Sequence, residues 1–232
     1  MSTGTYLERR GQIQTYFDRT AVDAWRRLTS DAPVGSIRAT VRAGRNAMRT
    51  TLLSWLPEDL SGRRLLDAGC GTGALSIEVA KRGAEVVGID IAPTIIEMAE
   101  ERMPPEFRER IRFHAGDMLE ASHGTFDHVV AMDSIIHYED RDITGVLAGL
   151  AARTRHSIAF TFAPRTPLLA AMHSIGRLFP RGDRAPSIEP VAEARLRRLI
   201  ATDPRLKGWQ VARTERVTSG FYISQGLELV RT

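Results

Sequence analysis

The stretch Arg64-Leu65-Leu66-Asp67-Ala68-Gly69-Cys70-Gly71-Thr72-Gly73 decides the fold. Five residues of mostly apolar, extended chain run into glycines at alternate positions, and a helical pattern follows from Ala74 to Arg82. Glycine allows a sharp turn and lets a ligand approach the main chain. The helix start beyond it offers oriented N–H groups. Outward from this unit, strand-like runs are predicted at 85–90, 111–115, 126–132 and 156–162. Helices are predicted between them, from Pro93 to about Met103 and from Asp142 to Arg153, with Pro93 suiting a first helical turn. Such alternation implies right-handed crossovers and a parallel sheet. Runs at 210–217 and 221–230 flank Thr218-Ser219-Gly220, which predicts a closing hairpin and an antiparallel strand at or near one edge.

The chain has 232 residues, 43% apolar and 26% charged, as expected of a globular chain with a real core: one domain with a modest appendage. A single cysteine excludes a disulfide framework and a cysteine-based zinc site. No eighteen-residue apolar run is present and residues 1–11 lack an apolar signal core, so a cytoplasmic protein is expected. The net charge is +4, and Lys81 and Lys207 are the only lysines. This arginine-rich balance suits an anionic ligand, an acidic partner, an anionic membrane or simply a solvated surface. No nucleic-acid motif appears.

Three acids stand at three successive strand ends. Asp90, seventeen residues beyond Gly73, can accept both hydroxyls of a ribose. Asp67 would repel a pyrophosphate but suits a cationic amino-acid group. Asp117, in Gly116-Asp117-Met118, offers a carboxylate to an adenine amine beside an apolar flank. The glycine loop alone would also pass a loose dinucleotide fingerprint; the acids tip the reading. In this ensemble the sequence resembles the class I S-adenosylmethionine-dependent methyltransferases. The resemblance implies an α/β, Rossmann-like fold: a seven-stranded, mostly parallel sheet with one antiparallel strand and helices on both faces. It also implies that Gly69 and Gly71 face the methionine part of the cofactor, Asp90 the ribose, and Asp117 with Met118 the adenine. Asp67, Cys70, Gly73, Ile91 and Met132 complete the implied cofactor set.

The flanking stretches are more specific. Tyr16-Phe17-Asp18-Arg19-Thr20 with Trp25-Arg26-Arg27, the segment from Ile37 to Arg45, Met132-Asp133-Ser134-Ile135-Ile136-His137-Tyr138, Phe162-Ala163-Pro164-Arg165-Thr166-Pro167 and Ser219-Gly220-Phe221-Tyr222-Ile223-Ser224 are similar to the magnesium-protoporphyrin IX O-methyltransferases of bacteriochlorophyll synthesis. Arginine usage and length fit a purple-bacterial member. The resemblance implies methyl transfer to one ring propionate, giving the monomethyl ester and S-adenosylhomocysteine. A carboxylate is already ionised at neutral pH. Catalysis then rests on alignment and on a dry pocket. Another small-molecule methyltransferase would share every cofactor residue; an oxidoreductase would need a dinucleotide, and a porphyrin carrier has no use for Asp67 and Asp90.

His137, beyond the fourth strand, is the first candidate catalytic residue, holding the propionate in line, with capping of the following segment as its alternative. Tyr16 and Trp25 can roof the cofactor, stack on the macrocycle or face a core. Family members from oxygenic phototrophs carry a tyrosine after the Trp-Arg-Arg element; Thr29 stands there in this chain and retains only a hydroxyl. Arg38, Arg42, Arg45 and Arg49 form one helical stripe. It can meet carboxylates, lie on a membrane or face water, with Arg38 and Arg45 favoured as substrate ligands. Arg165 and His173 are further substrate candidates, in a predicted lid at 164–190 between strands five and six. Residues 1–60 are expected to form a helical cap and 61–232 the methyltransferase domain. No spacing suggests a protein-bound metal, since the magnesium arrives in the substrate. The resemblance further implies contact with the porphyrin-carrying subunit of magnesium chelatase and a peripheral place on the photosynthetic membrane.

Overall fold

The structure is a computed structural model that describes residues 4–19, 35–165 and 188–232. Its centre is a seven-stranded sheet built from β1 (Arg64–Ala68), β2 (Glu85–Asp90), β3 (Ile111–Ala115), β4 (Phe126–Ala131), β5 (Thr154–Phe162), β6 (Trp209–Ser219) and β7 (Tyr222–Arg231) in the order β3-β2-β1-β4-β5-β7-β6. β1 to β5 pair in parallel, and β7 runs antiparallel between β5 and β6. The hairpin thus closes the sheet as expected, with the reversed strand one place in from the edge. The crossover helices are α3 (Ala74–Lys81), α4 (Pro93–Arg102), α5 (Asp140–Ala151) and α6 (Glu193–Thr202); two more, α1 (Gly4–Arg19) and α2 (Ser36–Ser54), precede β1. The sequence reading had no counterpart to α6.

Strand alternation fills both faces. Leu66, Val87, Val129 and Ile158 join Ile143, Leu147 and Leu150 of α5 and Leu196 and Ile200 of α6 in one core. Leu65, Val86, Val130 and Ala159 face the other way, onto Leu75 and Val79 of α3 and Met48 and Leu52 of α2. Each such side chain contributes roughly 1.5–3 kcal/mol on burial.

α2 packs against the sheet. Met48, Leu52 and Leu60 are fully buried. Gly226 on β7 lets Trp55 and Met48 pack close; a Cβ there would lie 2.9 Å from the indole. Residues 36–60 are therefore part of the α/β body. α1 does something different. Its Tyr6 and Ile13 are buried over the carboxyl ends of the strands, and Thr5 Oγ1 donates to Asp142 at 2.8 Å.

Candidate active site

The strand order reverses between β1 and β4, so their carboxyl ends diverge and leave a crevice, the usual ligand position in such sheets. A cleft of about 710 Å³ opens there. Its floor is the turn after β1. Gly69 has φ of +84°, and a Cβ there would fall 2.1 Å from Cβ of Ser134. Only glycine keeps that approach open. Asp90, at the end of β2, accepts hydrogen bonds from the backbone N–H of Gly71 at 3.0 Å and of Ala92 at 3.1 Å. The carboxylate is thereby fixed against the glycine turn. It has about four lone-pair sites, enough to accept two hydroxyls as well.

Asp117, after β3, forms the far wall. It accepts from the Leu119 N–H at 2.9 Å and from the Tyr6 hydroxyl at 2.8 Å, and it pairs with Arg10. Tyr6 also stacks on Tyr138 at 5.1 Å between ring centroids. Burial, then the neighbouring Tyr138 and Asp117, raises the Tyr6 phenol well above its ordinary value, so it remains a neutral donor. Ile91, Ile95 and Met118 give this wall an apolar surface. The sequence reading named Asp117 but missed Tyr6 and Arg10.

The remaining wall comes from β4 and α2: Met132, Asp133, Ser134, His137 and Arg45 all line the cleft. His137 is buried. Arg45 Nη1 lies 3.0 Å from Asp133 Oδ2. Gly44 seats α2 against Tyr222, where a Cβ would meet the ring at 2.5 Å, and so brings Arg45 to the strand ends. The Ser134 Oγ is buried without a hydrogen-bond partner. Because Ser134 lines the cleft, this hydroxyl is available to a ligand's polar group.

Several expected site residues lie elsewhere. Alternation along β1 points Asp67 toward α3, beneath the glycine turn, where Ser76 Oγ donates to it at 2.6 Å. It does not line the cleft, and burial pushes its carboxyl up to about 7. Cys70 is buried beside it, and burial raises its thiol as well. Gly73, at φ of +79°, caps α3 against Phe113 and also stays outside the cleft lining. All three support the turn from below. Arg38 is exposed, two helical turns before Arg45, or roughly 10 Å. Tyr16 is half-buried on α1, away from the cleft lining. Arg165 has an exposed side chain, and its N–H donates to Val191 at 2.9 Å. That bond and the return bond from Val191 to Ala163 pin both ends of the expected lid beside β5. Thr29, Trp25 and His173 lie outside the described residues.

The donor set suits a nucleoside joined to a charged amino-acid chain: two fixed carboxylates, an apolar wall between them, a glycine cradle and an unmatched hydroxyl. Among the described residues no group of three or more His, Cys, Asp or Glu is arranged to hold a metal ion.

Known proteins are similar to this chain. Residues 131–231 match the family described as magnesium-protoporphyrin IX methyltransferase C-terminus, and residues 65–157 match a methyltransferase domain. The magnesium-protoporphyrin O-methyltransferase of Rhodobacter capsulatus is 48% identical, over 96% of this chain and 97% of its own length. The crystal structure of magnesium protoporphyrin IX methyltransferase from Synechocystis PCC 6803 with bound SAH superposes with a TM-score of 0.83 at 30% identity, covering 96% of this chain and 100% of that one. The same enzyme with bound SAM gives 0.78 at 26% identity, covering 99% of this chain and 100% of that one.

Proposed function

The chain belongs to the magnesium-protoporphyrin O-methyltransferase family, and from that premise we propose that it transfers the methyl group of S-adenosylmethionine to one propionate carboxylate of Mg-protoporphyrin IX. The products are the monomethyl ester and S-adenosylhomocysteine. The observation that carries the reading is full-length kinship combined with a cleft whose acids, glycines and unmatched Ser134 hydroxyl suit this cofactor.

We assign Asp90 to the ribose, Asp117 with Met118 and Ile91 to the adenine, and Gly69, Gly71 and the Ser134 hydroxyl to the methionine part. When bound, the cofactor supplies an electrophilic methyl group on a sulfonium. The protein's own task is placement. The propionate is ionised at neutral pH and has no proton to lose. His137 therefore acts as a hydrogen-bond donor that holds one carboxylate oxygen while the other faces the methyl group. Arg45 offers its N–H donors to the anion in the cleft. Opposite charges vanish on transfer, so exclusion of water by α1 favours the reaction. Alignment at near-attack distance is the larger contribution. Tyr16, Arg38, Arg165, Thr29 and His173 remain candidates for the macrocycle side of this closure, with Asp67, Cys70 and Gly73 as the underpinning of the turn.

No helix among the described residues is long and apolar enough to cross a membrane. We assign the chain to the cytoplasm, with peripheral contact to the photosynthetic membrane and handover from the porphyrin-carrying subunit of magnesium chelatase. The exposed Ile37 beside Arg38, and the exposed Phe221 next to Gly220, which packs on Thr40 of the same helix, favour such surface contact.

Mass spectrometry of Mg-protoporphyrin incubated with the protein and S-adenosylmethionine tests the reaction. One added methyl group on the macrocycle, with unrelated carboxylic acids and amines left unmodified, is expected. Methylation of those other compounds in preference to Mg-protoporphyrin would transfer the chain to another substrate.

A further inference from the structure

One acid of the cleft has no part in the chemistry above. Asp133 closes β4 with φ of +54°, the one left-handed non-glycine residue among those described. Its side chain is 6% exposed. The Tyr222 hydroxyl donates to it at 3.0 Å, Thr161 at 3.2 Å and Ser224 at 3.5 Å, and its own N–H donates to Thr161 Oγ1 at 2.7 Å. Burial, then the Asp133 charge, raises the Tyr222 phenol, which keeps it a donor. A strained position fixed by so many partners indicates a constraint on where this carboxylate points. It points at Arg45.

The reaction explains why that matters. A lone pair on the propionate oxygen attacks the methyl carbon, the carbon–sulfur bond breaks with its electrons going to sulfur, and no proton is released. The carboxylate loses its charge on the way. A bare cation touching it would favour the bound anion over the transition state, which strengthens binding and slows transfer. An arginine paired with an acid keeps its directional donors and gives up most of its net field.

We propose that Asp133 is a positioning residue that holds and neutralises Arg45, so that the guanidinium aligns the reacting propionate without quenching it. Tyr222, Thr161 and Ser224 hold Asp133 for that role. The inference rests on the carboxyl methylation proposed above.

The test is Asp133→Asn, because asparagine tolerates the left-handed backbone and keeps an acceptor for Tyr222. With Mg-protoporphyrin as substrate, kcat is expected to fall about tenfold while KM also falls severalfold, the pattern of a ground state stabilised more than the transition state. Affinity for S-adenosylhomocysteine, measured by calorimetry, is expected to stay within about twofold. Adding Arg45→Gln to this variant removes the unbalanced cation together with its alignment, so kcat recovers in part and KM rises. Arg45→Gln alone leaves Asp133 unpaired near the anion and should raise KM by about tenfold or more. A raised or unchanged KM in Asp133→Asn, or an unchanged KM in Arg45→Gln, overturns the proposal. Should Asp133→Asn fail to fold, the Arg45→Gln result decides alone. Wild-type turnover is the control: its absence sinks the carboxyl-methylation reading itself, whereas wild-type turnover without the kcat–KM pattern sinks only this inference.

Discussion

Asp127 stands at the amino end of β4 and Asp133 two residues past its carboxyl end, and each faces arginine, yet they are held in opposite ways. Asp127, at the amino end, accepts from the Arg64 backbone N–H at 2.9 Å. Its neighbours Arg63, Arg155 and His156 stand 3.6–3.7 Å off and are half-exposed or more. Burial opposes ionisation there, but the Arg64 amide and those charges prevail and hold its carboxyl below its ordinary value. Beside it, burial depresses His128 to about 4, a neutral ring 2.8 Å from Ser157 Oγ. This end ties β1, β4 and β5 together and faces water. At the carboxyl end the partners turn inward and the backbone is strained: Asp90, Asp117 and Asp133 line the cleft, Asp117 against Arg10 and Asp133 against Arg45, while Asp67 lies buried beneath the glycine turn. The same sheet thus has a relaxed end that supports the fold and a costly end arranged for a ligand.

The comparison breaks most sharply at the glycine turn. Gly69→Ala would force a left-handed alanine into contact with Ser134 and should lower S-adenosylhomocysteine affinity by about a hundredfold, with a stability loss of about 2 kcal/mol or more. Calorimetry and denaturant unfolding read the two effects. Binding as tight as that of the wild type would mean that the turn is merely structural. Next in size, His137→Ala should lower kcat about a hundredfold while leaving S-adenosylhomocysteine affinity within about twofold, because placement is lost and cofactor contacts are kept. Equal losses in both would move His137 to the cofactor.

The third experiment sharpens the costly end by its pH dependence. Burial raises Asp67 from 3.8 to about 7, so the folded chain binds an extra proton between those values. The resulting stabilisation is complete below the unfolded value and is lost as pH rises through about 7, by an amount on the order of a few kcal/mol. The Tm of the wild type should therefore fall between about pH 5 and pH 7 and level off above, whereas Asp67→Asn should lack that fall. Parallel curves would show that Asp67 is ionised throughout. The smallest effect belongs to the relaxed end. Asp127→Asn should cost about 1 kcal/mol and leave kcat and cofactor affinity unchanged. Because its carboxyl is held low, this contribution is present above the ordinary carboxylate range and disappears as pH falls through the folded value. A fall in kcat would show that the two ends are coupled.

Much of this was legible in the sequence for physical reasons. Short apolar runs bounded by glycine located β1, β2 and β3 to the residue, since period-2 burial and the turn that ends it are both local. The acids at the strand ends followed from the same geometry. Applying that logic once more, to the acid directly after Met132, would have found Asp133. Contacts between distant residues were not legible. Tyr6 reaches Asp117 across 111 positions, and no local pattern encodes that meeting. The arginine stripe offered four candidates with Arg38 and Arg45 favoured; the seating of Gly44 on Tyr222 brings Arg45 to the cleft. Asp67 was read as facing the ligand because it ends a strand, whereas alternation turns it toward Ser76.

The most direct measurement follows a methyl-labelled donor into the product and then treats that product with mild alkali. The account requires one label per macrocycle, released as methanol as the ester is saponified. A label that survives alkali, or no label in the macrocycle at all, would contradict transfer to a carboxylate.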